Sequence, residues 1–161
     1  MDEARSLYID FEREAEFACP HCGTANKVYD TEKKLWRHLD FWNWKTYFHA
    51  RAPRTDCTNC NIVTLVPIQW ARLQFHFTLL FGAWAMRLMA ERPFNAAARE
   101  LREHDTRMWR IFHYYVNQAM AELNLTQVTW IAVNETLSRC GHRYITLFVD
   151  VNTKIVLFAT A

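Results

Sequence analysis

No stretch of this sequence is apolar for long enough to cross a bilayer. The longest, Phe77 to Ala90, is too short and contains Arg87. Basic residues do not precede an apolar run at the N-terminus, so the pattern of a secretory signal peptide is missing too. Charge of one sign is also lacking, with 19 Lys and Arg against 17 Asp and Glu for a net +2. The expected compartment is therefore the cytoplasm, with no membrane partner. What is present is apolar and aromatic: 51% hydrophobic and 15% aromatic residues supply enough surface for folded cores and exclude wholesale disorder.

The small net charge is unevenly spread. Residues 1–16 carry two basic and six acidic side chains, whereas 17–67 and 68–117 each carry +3 and 118–161 are neutral. A mildly basic body behind an acidic segment suits a nucleic-acid partner. Four of the five cysteines fall in two CxxC pairs, which in a chain without a secretion signal indicates metal rather than disulfides.

Pattern divides the chain into an acidic segment (1–16), a zinc-ribbon module (17–67), a helical module (68–124) and a strand module (125–161). The acidic segment fits a short helix or a strand equally well. Lys27–Asp30, Leu35–Trp42 and Lys45–Ala52 read as strands, the last two joined at Asn43-Trp44. From about Gln69 the period becomes helical, with Phe77, Leu80, Phe81, Trp84 and Leu88 in step. Pro93 stops that helix, Asn95 caps the next, and Asp105 or Thr106 caps a third that runs to about Glu122. Strands follow at Val128–Val133, Tyr144–Val151 and Ile155–Ala159, with turns at Cys140-Gly141 and Asn152-Thr153.

Cys19, Cys22, Cys57 and Cys60 are the expected ligands of one structural Zn²⁺. Each CxxC turn presents two thiolates to one ion, and the 34 residues between the pairs leave room for a β-hairpin. Gly23 and Asn61 occupy matching places after the two turns, where a positive φ is needed. Redox pairs or two disulfides are the competing reading, and neither requires the two turns to look alike. His21, His38 and His49 are expected to be hairpin or surface residues, because four thiolates already close the coordination sphere. A closed site has no position for substrate, so this zinc is structural.

On the second hairpin strand Lys45, Tyr47, His49 and Arg51 share a face, which suits either phosphate contact or plain solvation. The three helices match a helix-turn-helix with a joint near Glu103-His104, although the usual glycine is missing there. On the third, Met108, Ile111, Phe112 and Tyr115 should face the core. Arg107, Arg110, Tyr114 and Asn117 then share the outward face, where Arg and Asn can read base edges in the major groove. Arg99 and Arg102 on the preceding helix are placed to touch phosphates. A plain helical bundle is the alternative.

Cys-Pro-His-Cys-Gly at 19–23, Trp-Arg-His-Leu-Asp-Phe at 36–41 and His-Ala-Arg-Ala-Pro-Arg at 49–54 resemble the N-terminal zinc ribbon of one family of bacterial insertion-sequence transposases. Glu103 to Ile111 resembles the helix-turn-helix of that family, and Gly141 to Asp150 the start of its catalytic domain. The resemblance implies an α+β, multi-module fold. Its parts are a four-cysteine zinc ribbon, a three-helix helix-turn-helix and an incomplete RNase H-like three-stranded antiparallel meander. It also implies double-stranded DNA as partner, with a homodimer or the full-length transposase as further partners. In that family's DDE domain two aspartates and a glutamate hold two metal ions. The first aspartate is expected where Asn134 stands, and an amide cannot bridge two divalent ions. Glu135 points to the opposite strand face. Asp150 should lie about four residues along the neighbouring strand from the partner of Asn134, on the order of 13 Å away. No catalytic residue and no catalytic Mg²⁺ are therefore expected, and Cys140 is expected to be a turn residue. Three functions follow as expectations: a truncated, inactive transposase derivative that binds terminal inverted repeats, a segment of a split transposase completed elsewhere, or a zinc-stabilised protein-interaction module.

Overall fold

The computed structural model of the chain describes residues 4–72, 74–139 and 143–160. They form an α+β fold in two compact units, 1–105 and 106–161. The first unit is built on a long hairpin, β3 (Ala25–Phe41) against β4 (Trp44–Cys57), 17 and 14 residues long. Phe41 pairs with Trp44, so the turn is Trp42-Asn43, one residue before the expected joint. The strands also outrun the expected ones. A register shift between Val28 and Asp30 lets β3 absorb the separate strand expected at Lys27–Asp30. Across that bulge the Arg54 guanidinium donates to the Asp30 carboxylate, which holds the acid below its ordinary value.

Sheet order is β1-β4-β3-β2, with β5 (Ile62–Leu65) also on β4 and β2 (Glu16–Ala18) on β3. The acidic segment becomes strand β1 (Ala4–Ile9), parallel to β4 from Ala4 opposite Lys45 to Ile9 opposite Ala50. Contacts beyond the sequence pattern decide this. The Arg5 guanidinium lies 4.0 Å from the centroid of Trp44, Tyr8 stacks on His49 at 4.8 Å, and Arg51 grips Asp10 with both Nε and Nη2.

Residues 76–78 run beside β3. The Arg37 amide donates to the His76 carbonyl at 2.8 Å, and the Thr78 amide to the Arg37 carbonyl at 3.0 Å. Thr78 then caps α1 (Leu79–Glu91), its hydroxyl accepting from the Phe81 amide at 3.2 Å. Phe81, Gly82, Ala85 and Leu88 form the buried stripe. Leu80 and Trp84, in step with that stripe by spacing, are exposed instead. α1 ends at Arg92, just ahead of Pro93, as expected. Pro93 itself, at φ −53, leads into α2 (Phe94–Glu100), and Asn95 sits inside the helix rather than at its cap.

The joint after α2 explains the missing glycine. The Arg102 amide donates to the Arg99 carbonyl at 3.1 Å and the Glu103 amide to the Ala98 carbonyl at 3.0 Å. This is the paired bonding of a Schellman motif, which puts its turning residue in the left-handed region. Here that residue is Arg102, at φ +52.

In the second unit α3 (Asp105–Ala121) buries Met108 and Ile111 and half-buries Phe112 and Tyr115. A 3-10 turn (Leu125–Gln127) leads to an antiparallel meander of β6 (Ile131–Arg139), β7 (Arg143–Asp150) and β8 (Val156–Thr160). β6 starts three residues later than expected, after that turn. The expected turn at Cys140-Gly141 lies outside the described residues. The turn at Asn152-Thr153 is present, and Asp150 builds it, accepting from the Asn152 amide at 3.1 Å and the Thr153 hydroxyl at 2.6 Å. Among the described residues no helix is long and apolar enough to cross a membrane.

Candidate metal centre and nucleic-acid interface

The two CxxC turns are local repeats of one design. The Gly23 amide donates to the Cys19 carbonyl at 2.9 Å, and the Asn61 amide to the Cys57 carbonyl at 2.7 Å. Gly23 has φ +75 and Asn61 φ +55, which meets the expectation for both. The four sulfurs lie within 4.8 Å of one another, with Cys22 and Cys57 at 3.5 Å. Zinc at about 2.3 Å from each thiolate would hold tetrahedral sulfurs about 3.8 Å apart, so the cluster fits the ion.

The thiols' acidities make the same point. The Thr24 hydroxyl and then its backbone pull Cys22 down to about 5. The bond with Cys22, followed by burial, pushes Cys60 up to about 12. One thiolate thus denies ionisation to its neighbour, a conflict that a central dication removes. These four cysteines bind a structural zinc ion. Among the described residues they are also the one group of three or more His, Cys, Asp or Glu whose ligand atoms converge. The histidines are engaged elsewhere: His38 Nδ1 meets the Thr78 hydroxyl at 2.9 Å and His49 Nε2 meets Ser6 at 3.1 Å, while His21 is exposed.

A second cluster joins the zinc hairpin to the helical segment of the same unit. Arg37, on β3, is 1% exposed. Its Nε donates to Glu103 at 3.3 Å, Nη2 to Asp40 and Nη1 to the His38 carbonyl. Its guanidinium lies 5.3 Å from the centroid of Phe81. Asp40 also accepts from Arg102, at 3.1 Å from Nε. Two arginines and two carboxylates therefore link β3 to the α2–α3 joint, with the buried pair Arg37 and Glu103 at its centre and the half-buried Asp40 and Arg102 beside it. Sequence reasoning missed this cluster. Its one signal was the charged pair Arg37 and Asp40 amid the aromatic run Trp36–Trp42.

The expected DNA contacts divide. Arg107, Arg110, Tyr114 and Asn117 fall on one face of α3, with Arg110 and Asn117 exposed and Arg107 and Tyr114 half-buried. Arg99 is exposed in the last turn of α2. Arg102, expected to meet phosphate, is instead bound to Asp40 and shapes the joint. Lys45 and Arg51 share a face of β4, but Arg51 is held by Asp10 of the segment that follows β1. Sequence could not show that the acidic segment covers this face.

In the meander Asn134 pairs with Leu147 and Asp150 with Ile131, a separation of three residues rather than the expected four. At about 3.3 Å per residue that is still about 10 Å. Both Asp150 oxygens serve the β7–β8 turn, and the Thr153 hydroxyl holds its carboxyl below the ordinary value. Glu135 accepts from the Thr146 hydroxyl at 3.4 Å.

Comparison with known families gives two adjoining matches. Residues 15–60 match the zinc finger of transposase IS204/IS1001/IS1096/IS1165. Residues 66–116 match the helix-turn-helix domain of transposase family ISL3. No curated protein and no solved structure matches the chain. The cysteine cluster falls in the first match and the helices through most of α3 in the second. Residues 15–60 and 66–116 thus match, in order, a zinc ribbon and a helix-turn-helix domain of insertion-sequence transposases, the second that of family ISL3.

Proposed function

We propose that this protein binds double-stranded DNA in the cytoplasm at the terminal inverted repeats of an insertion sequence, and does not itself cut DNA. The observation behind it is that a zinc-ribbon match is followed directly along the chain by a match to a transposase helix-turn-helix. Arg107, Arg110, Tyr114 and Asn117 are the proposed base-reading residues, with Arg99 and Lys45 on phosphates. The absence of cutting follows from the resemblance of the strand module to the start of a DDE domain, in which Asn134 would take the place of the first metal-bridging aspartate. The proposed modules are 17–67 for the ribbon, 68–124 for the helix-turn-helix and 125–161 for the strand domain. Replacing Arg107 and Arg110 together by alanine should weaken specific binding by about 1–3 kcal/mol per base-reading arginine in a titrated mobility shift. Unchanged affinity would show that α3 does not read bases.

The meander supports a second copy as partner. Trp130, just before β6, and Val133 and Phe158 on the strands are 71%, 59% and 57% exposed, an apolar set left at the surface of the meander. Light scattering is expected to find a dimer that Val133→Lys dissociates. A monomer whose meander resists protease would contradict that.

A further inference from the structure

The tip of the zinc hairpin holds an anomaly that the docking role of the ribbon does not require. Trp42, at the two-residue turn, has φ +57. That region suits glycine and asparagine, and a bulky residue there is strained. Trp42 is also 82% exposed, so burial does not compensate for the strain. Phe41 beside it is 61% exposed, the two rings tilted at 57° with centroids 6.4 Å apart.

The tip is nonetheless held in place. The Phe41 amide donates to the Thr46 hydroxyl at 3.1 Å, and that hydroxyl donates to the Trp44 carbonyl. Asp40, directly before Phe41, accepts from Arg102 of the helical segment, so the aromatic tip is braced at its base. The Arg5 guanidinium beside Trp44 adds positive charge near the tip. A strained, exposed indole at a braced hairpin tip with a guanidinium nearby is a stacking platform, since every nucleobase offers a flat face and base–aromatic stacking tolerates any sequence.

We propose that Trp42, supported by Phe41, stacks on an unpaired or unstacked nucleobase of bound DNA. This rests on the DNA-binding reading above and adds to it a base-stacking site outside the helix-turn-helix. The test uses the full zinc-loaded chain and two labelled duplexes identical except for one unpaired thymine, compared by fluorescence anisotropy. The wild-type chain should bind the bulged duplex about tenfold more tightly than the paired one. Trp42→Gly should abolish that preference while Tm stays level or rises, because glycine relieves the positive φ. Trp42→Phe should keep most of the preference. A Trp42→Gly chain that keeps the preference, or that loses it together with a fall in Tm, would overturn the proposal. So would a wild-type chain that binds both duplexes alike. Failure of the wild-type chain to bind either duplex would instead remove the DNA-binding reading itself.

Discussion

Replacing Cys57 by alanine is expected to unfold the zinc hairpin at room temperature. Cys57 is fully buried at the end of β4, and its carbonyl anchors the second turn through Asn61. Binding of structural zinc by small modules contributes an apparent 10–16 kcal/mol or so near neutral pH, more than a domain of this size has in reserve. Chelation of the wild-type protein should do the same, and acidification should weaken binding because the ligands must be thiolates. The measurement pairs zinc content with far-UV circular dichroism. The wild type should carry one zinc per chain, and both signals should fall together in the variant. A Cys57→Ala protein that keeps its strand signal without zinc would show that the hairpin stands unaided.

Arg37→Met should have the next largest effect. It takes the Arg37 partner from the Glu103 side chain, 4% exposed, and one partner from Asp40. Breaking a buried ion pair by removing one member costs about 3–5 kcal/mol. The drop in Tm should be on the order of 10 °C. Combining Arg37→Met with Glu103→Met should restore much of the loss, since replacing both members of a buried pair by apolar groups is often close to neutral. Thermal melts of the two single variants and the double form the cycle. A single variant within about 1 kcal/mol of wild type would show that the cluster does not join hairpin and helices.

Short-range signals in the sequence were the ones that could be read. The paired CxxC turns, the positive φ at Gly23 and Asn61, the stop at Pro93 and the order of strands and helices all follow from local chemistry. Contacts between distant segments were not legible. β1 takes its identity from a parallel partner some 40 positions away. Arg102 reads as one more basic residue on a helix, and only Asp40, 62 residues earlier, turns it into the pivot of the joint. Thr78 likewise becomes a cap because residues 76–78 meet β3. On α3 the inward positions Met108 and Ile111 were legible from spacing because the helical period alone sets them.

On the proposed function, a zinc-held front end docks this protein on DNA. The most direct test of this is a mobility shift of the full chain on duplexes carrying candidate inverted repeats, with and without a chelator, over a range of salt. The expected result is a specific complex that weakens with salt, is lost on chelation and is weakened by Arg107→Ala with Arg110→Ala. Absence of any complex at low salt with zinc bound would contradict it.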